Sequence, residues 1–188
     1  MNQKLKKYIS AAVGVLALLL LDQYTKILAL RFLKDQPAVV ILKGVFELQY
    51  LENRGAAFGM MQNQRFFFLI ITVVVLGIMV YLYSLTPVTR RYLPLRLCMV
   101  FLAAGAAGNF IDRLLRGYVV DFFYFSLIDF PIFNVADIYV TVTFFVLVLL
   151  IFFYYKEEDL MIYSRQYRKE HQMQKRISVR ESRIFKCG

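Results

Sequence analysis

From Phe66 to Leu85 the chain runs for twenty residues without a charged side chain. Wound as an α-helix at 1.5 Å per residue, that run is about 30 Å long, which matches the hydrocarbon core of a bilayer. A lone segment in hydrocarbon must satisfy its own backbone hydrogen bonds, and only a helix does so. The run is therefore read as a membrane span, and the rest of the chain has to be organised around it.

Three further stretches fit the same reading. Ile9–Leu21 is almost wholly apolar and continues through Asp22-Gln-Tyr-Thr-Lys26 into Ile27–Leu33, which predicts one helix over about 9–33. The basic opening MNQKLKKY and short apolar core would also suit a secretory signal peptide, but no small-x-small cleavage site follows Leu21. A third span is expected over about 97–114, and a fourth over about 133–155 whose only charge is Asp137. The chain is 60% hydrophobic with a mean hydropathy of +0.56, more apolar than a globular domain. The expected fold is an all-α membrane protein with four transmembrane helices, forming one domain over 1–155 with a tail at 156–188.

Between the first two spans, residues 34–64 read as an extramembrane, β-rich segment. Val39–Leu42 and Val45–Leu51 flank Lys43-Gly44, the pattern of a short hairpin. Residues 115–132 are aromatic-rich and irregular or strand-like, suited to a membrane–water boundary. Asp129, before Phe130-Pro131, reads as a turn residue. The small-residue run Ala103–Gly108 permits close helix packing or leaves room for a substrate helix.

The formal net charge is +10. Its placement argues for membrane topology rather than nucleic acid. Lys4, Lys6 and Lys7, then Arg90, Arg91 and Arg96, then the tail all fall on one side in a four-span chain. By the positive-inside rule that side is cytoplasmic, so both termini are expected there. Residues 34–64 and 115–132 then face outward, and the polar residues at the span ends gather near the outer leaflet.

The single histidine, His171, lies in the charged tail. That excludes a HExxH zinc helix and an intramembrane Ser–His or Cys–His pair. Cys98 and Cys187 have no metal-site spacing. No metal or cofactor is expected, so carboxylates, or lysines, must carry any proton transfer.

The stretch Gly105–Asp137 holds aspartates at 112, 121, 129 and 137. A carboxylate at the edge of hydrocarbon is costly unless paired or solvated, and such residues are read as functional. Two carboxylates in one poorly hydrated site retain a proton between them. The ionised one takes a proton from water, and the protonated one hydrogen-bonds a scissile carbonyl, as in aspartic proteases. Spacing alone does not choose among Asp112, Asp121 and Asp137. Arg113 offers Asp112 an ion-pair partner, whereas Asp121 and Asp137 have no basic neighbour. Asp22 and Lys26, four apart, share a helix face and can pair.

Five motifs, Asp22-Gln-Tyr-Thr-Lys26, Asn53-Arg-Gly-Ala-Ala-Phe58, Gly108-Asn-Phe-Ile-Asp-Arg113, Gly117-Tyr-Val-Val-Asp-Phe122 and Phe133-Asn-Val-Ala-Asp137, together resemble the lipoprotein signal peptidase (signal peptidase II) family. The resemblance covers roughly residues 8–155. It implies an aspartic endopeptidase of the bacterial cytoplasmic (inner) membrane, with its active site near the outer leaflet. Such an enzyme removes the signal peptide from a diacylglyceryl-modified prolipoprotein, N-terminal to the lipidated cysteine. It further implies Asp121 and Asp137 as the catalytic dyad. Asp22, Lys26, Asn53, Gly55, Asn109, Asp112, Arg113 and Asn134 line or brace the site, 34–64 cradles substrate, and a globomycin-type cyclic peptide inhibits. Membrane lipid is the other implied partner. Arg54 departs from the family pattern, which has a small or neutral residue there, and the tail extends past the family core.

Two other classes compete. A small ion-coupled membrane carrier needs a polar path through the bilayer, yet the second and fourth spans are almost without polar residues below their outer ends, and the chain has no internal repeat. A non-catalytic assembly factor using the small-residue third span leaves Asp121 and Asp137 unexplained.

Overall fold

The computed structural model describes residues 2–55 and 61–164. The Ala56–Phe58 part of the second motif, His171, Cys187 and the tail beyond 164 lie outside these. Four helices are long and apolar enough to cross a membrane. Helix α1 spans Gln3–Phe32, α2 Arg65–Leu85, α3 Leu93–Leu115 and α4 Val135–Leu149, the last continued by a π-helical turn, Leu150–Tyr154.

The ends of the spans depart from the hydropathy boundaries for local reasons. Helix α1 begins at Gln3 because the Asn2 side chain accepts Lys4 N–H at 3.0 Å, a cap that apolarity does not register. Helix α3 starts at Leu93, with Pro94 in its first turn, where a missing N–H costs nothing. Helix α4 starts at Val135 because Asn134 caps it, with Asp137 closing a reciprocal capping box.

Helix α3 is central and packs on α1, α2 and α4. Its glycines explain how. A Cβ on Gly105 would lie 2.6 Å from the Ala136 carbonyl oxygen, and one on Gly108 would lie 2.5 Å from Asp22 Oδ2. The run Ala103–Gly108 is thus consumed by close packing against α4 and α1. Helix α2 buries none of its residues and lies at the periphery. At the far end of the bundle, Lys7 is buried and donates to the carbonyls of Tyr83 and Thr86, closing the C-terminus of α2 with a cation.

The β-rich segment expected at 34–64 holds only two of the three strands of the sheet. Strands β1 (Val39–Leu42) and β2 (Phe46–Asn53) form the hairpin, turning at Gly44 with φ +70°. A third strand, β3 (Val119–Tyr124), comes from between α3 and α4 and completes an antiparallel sheet in the order β1-β2-β3. Pairing aligns Leu51 with Asp121 and Asn53 with Val119. Gly117, at φ +84°, makes the turn from α3 into β3, a conformation that a side chain would strain. After β3, Asp129 takes a left-handed conformation at φ 48°, and Phe133 bridges back to Phe123.

One face of the sheet packs on the end of α1. Val120 and Phe122 are buried against Ala29 and Leu33, with Leu48 and Tyr50 alongside. The other face, carrying Leu51, Asn53 and Asp121, looks into a cavity.

Candidate active site

Lys26 of α1 is wholly buried. Its Nζ lies 3.0 Å from Asp22 Oδ2 and 3.0 Å from Asp112 Oδ2, both carboxylates also fully buried. Buried ions are tolerated only when their remaining hydrogen-bonding capacity is met. Asp22 Oδ1 accepts Ala136 N–H at 2.9 Å, which fixes the start of α4 on α1. Asp112 accepts Val120 N–H at 3.2 Å and is paired to Arg116 one turn on. Gln23 Nε2 spans both acids, at 3.1 Å from Asp22 and 3.3 Å from Asp112. This core joins α1, α3, α4 and β3.

Three asparagines carry that order to Asp121 and Asp137. An amide side chain has one accepting and one donating end, so an obligate donor on its oxygen decides where the nitrogen points. Lys26 Nζ, which only donates, meets Asn109 Oδ1 at 2.9 Å, and Asn109 Nδ2 therefore faces Asp137 Oδ1 at 2.8 Å. The Asp137 N–H meets Asn134 Oδ1 at 3.0 Å as the helix cap, and Asn134 Nδ2 faces Asp121 Oδ1 at 2.6 Å. The Gly55 N–H meets Asn53 Oδ1 at 3.0 Å, and Asn53 Nδ2 faces Asp121 Oδ2 at 2.8 Å. Asn134 N–H completes the set on Asp137 Oδ2 at 3.1 Å.

Asp121 and Asp137 thus stand in one hydrogen-bonded cluster although sixteen positions separate them in sequence. Burial first, then the negative charge of Asp137, push the Asp121 carboxyl up to about 7, against the hydrogen bonds from Asn53 and Asn134 and the charge of Lys26. A carboxyl so placed holds a proton near neutral pH, which is what acid–base exchange between two carboxyls requires.

Arg113 closes one side. Its guanidinium donates to the Gly55 carbonyl at 3.1 Å and lies 4.7 Å from the Phe68 ring of α2. A cavity of about 760 Å³ opens on the two aspartates. Leu51 and Asn53 form its sheet wall, residues 130–133 its rim, and Ile138, Thr141 and Val142, on one face of α4, its helical wall.

Residues 14–153 match the family model described as signal peptidase (SPase) II. The chain belongs to this family. It is a peptidase by that membership. The lipoprotein signal peptidase of Streptococcus thermophilus (strain CNRZ 1066) is 44% identical over 134 residues, covering 71% of this chain and 86% of its own length. That of Brevibacillus brevis is 44% identical over 136 residues, covering 72% and 87%. A solved bacterial membrane enzyme, determined by the in meso method, superposes with a TM-score of 0.68 at 30% identity, covering 76% of this chain and 87% of its own. A second such structure gives 0.67 at 29%.

All ten expected site residues fall in the cluster just described. Gln23 and Arg116 were not singled out in the sequence, although each carries a signal: Gln23 adjoins Asp22, and Arg116 lies one turn from Asp112. Arg54 turns away from the aspartates to Glu52, at 3.0 Å. Among the described residues, no group of three or more His, Cys, Asp or Glu side chains is arranged to hold a metal ion.

Proposed function

We propose that this peptidase removes signal peptides from diacylglyceryl-modified prolipoproteins by an Asp121–Asp137 dyad, cutting on the N-terminal side of the lipidated cysteine. One observation carries the reading: Asn134 bonds both aspartates, donating to Asp121 and accepting from the Asp137 amide. The charge of Asp137 raises Asp121, so the two buried acids titrate together and their apparent pKa values belong to the pair.

The ionised carboxylate takes a proton from water as the water oxygen bonds to the scissile carbonyl carbon. The protonated carboxyl hydrogen-bonds the carbonyl oxygen as negative charge gathers there. The C–N bond then breaks, and a carboxyl gives its proton to the leaving amine. The helical wall of the cavity, on an apolar span, suits a substrate that arrives within the membrane. Basic residues at the other ends of the spans support a cytoplasmic position for both termini and an outer-leaflet position for the site, in a bacterial cytoplasmic membrane.

The test is a gel-shift assay on a diacylglyceryl-modified prolipoprotein, with and without globomycin. Cleavage by the wild type, its block by globomycin, and its loss in Asp121→Asn and Asp137→Asn are expected. Turnover retained in either variant refutes the dyad.

A further inference from the structure

Side chains along a strand point alternately to opposite faces. On β2 this sends the side chains of Leu51 and Asn53 into the cavity and those of Tyr50 and Glu52 toward the back of the sheet, with Glu52 also at the cavity's edge. Glu52 is the focus of that back face. Its Oε1 accepts Lys34 Nζ at 3.2 Å and the Tyr50 hydroxyl at 3.2 Å, and its Oε2 accepts Arg54 at 3.0 Å. The Tyr50 hydroxyl reaches that of Tyr118 at 3.4 Å, and the Arg54 guanidinium lies over the Tyr118 ring at 5.4 Å. Lys34 lies two residues past the end of α1, and Tyr118 directly precedes β3. One carboxylate therefore ties three separate pieces of chain together.

The two residues flanking Asn53 are bonded to each other on the back face, and Asn53 projects between them to the front. Its amide has to stay 2.8 Å from Asp121. We propose that Glu52 is a positioning residue for the proposed reaction, holding Asn53 on Asp121 through a clamp made with Lys34, Arg54, Tyr50 and Tyr118. The inference rests on the dyad reading above. An isolated exposed ion pair contributes little. Here two cations and a hydroxyl converge on one part-buried carboxylate, and the geometry they fix is one peptide unit from a dyad contact. Burial opposes the charge on Glu52, but hydrogen bonds from Arg54, Lys34, Tyr118 and Tyr50 outweigh it and hold the carboxyl below its usual range. The clamp also gives Arg54 a role: it braces the turn from behind.

The experiment compares full-length wild type, Glu52→Ala, Glu52→Gln, Arg54→Lys and Asp121→Asn on a diacylglyceryl-modified prolipoprotein, with active sites counted by globomycin titration. Loosening Asn53 removes a donor from the ionised form of Asp121, so that carboxyl keeps its proton to higher pH. Glu52→Ala is expected to lower kcat per active site about tenfold, with KM within about twofold, and to move the alkaline limb of the pH profile up by about half a unit. Glu52→Gln keeps the shape and is expected to lower kcat less than Glu52→Ala does, and Arg54→Lys, which keeps the cation, is expected to retain most of the wild-type rate. A purely structural role lowers the number of active sites and leaves kcat per site and the limb unchanged; that result, in both Glu52 variants, overturns the clamp. If Asp121→Asn turns over normally, the dyad reading falls and the clamp with it. If Asp121→Asn is dead while the Glu52 variants match wild type, only the clamp falls.

Discussion

Lys26 takes the Asn109 side chain by its oxygen, at 2.9 Å, and so commits the Asn109 amide hydrogens to Asp137. A cation with no contact to either proposed catalytic acid thereby sets the orientation of a group that has one. Lys26→Met leaves Asp22 and Asp112 buried without their shared counter-ion. Breaking a buried ion pair costs about 3–5 kcal/mol, so a large fall in melting temperature in detergent is expected. Adding Asp22→Asn to Lys26→Met relieves one uncompensated charge and should recover part of the loss. Equal melting temperatures for wild type and Lys26→Met would contradict the account.

The position of Asp121 predicts the pH response. Its carboxyl is raised to about 7, chiefly by burial, so the folded protein binds a proton there that an unfolded chain has lost. That contribution to stability is complete below the ordinary carboxylate value and fades as pH rises through about 7. In the proposed mechanism the proton held by the pair is lost in the same interval. The ratio kcat/KM should fall on the alkaline side with a slope of one proton, and a profile flat to about pH 9 would argue against a retained proton.

Asn134 has two duties, and one substitution tests both. Asn134→Ala removes the α4 cap, at a cost of about 1 kcal/mol, and the 2.6 Å donor to Asp121. Asn134→Ser retains a capping oxygen and lacks the amide donor. Serine should therefore restore the melting temperature without restoring kcat. If serine recovers both, the donor to Asp121 is dispensable.

Gly108 leaves no room for a methyl group, because the neighbouring atom is Asp22 Oδ2 within the buried ion cluster. Gly108→Ala should displace Asp22 from Lys26, lowering stability by about 1–3 kcal/mol and activity with it. Gly77→Ala, on α2 where nothing lies within 4 Å of an added Cβ, is the matched control and should behave as wild type in both assays.

The four spans were legible because hydropathy is a property of local sequence. Twenty uncharged residues at 66–85 admit one solution, and Asp137 stood out as the only charge in its span. The strand at Val119–Tyr124 was harder to read. Apolar and aromatic residues fill both faces of this stretch, since one packs on α1 and the other lines a cavity, so no period of two is visible. The ion cluster was half legible. Asp22 and Lys26 announce themselves by a four-residue spacing that Asp112 and Arg116 share, but Gln23 gains its meaning from a residue some eighty-five positions away. The buried Lys7 reads as one of several topogenic cations, because its carbonyl partners lie on another helix.

The three amides that reach the dyad all have their oxygens turned away, toward Lys26, the Asp137 N–H and the Gly55 N–H. They supply only N–H groups to this spot. A water settling between Asp121 and Asp137 must then point its hydrogens at carboxylate oxygens, since no amide there will receive them. In the proposed reaction its lone pairs would face the cavity, so the arrangement of three side-chain carbonyls, none of them touching a reactant, would decide which end of an incoming water meets the peptide.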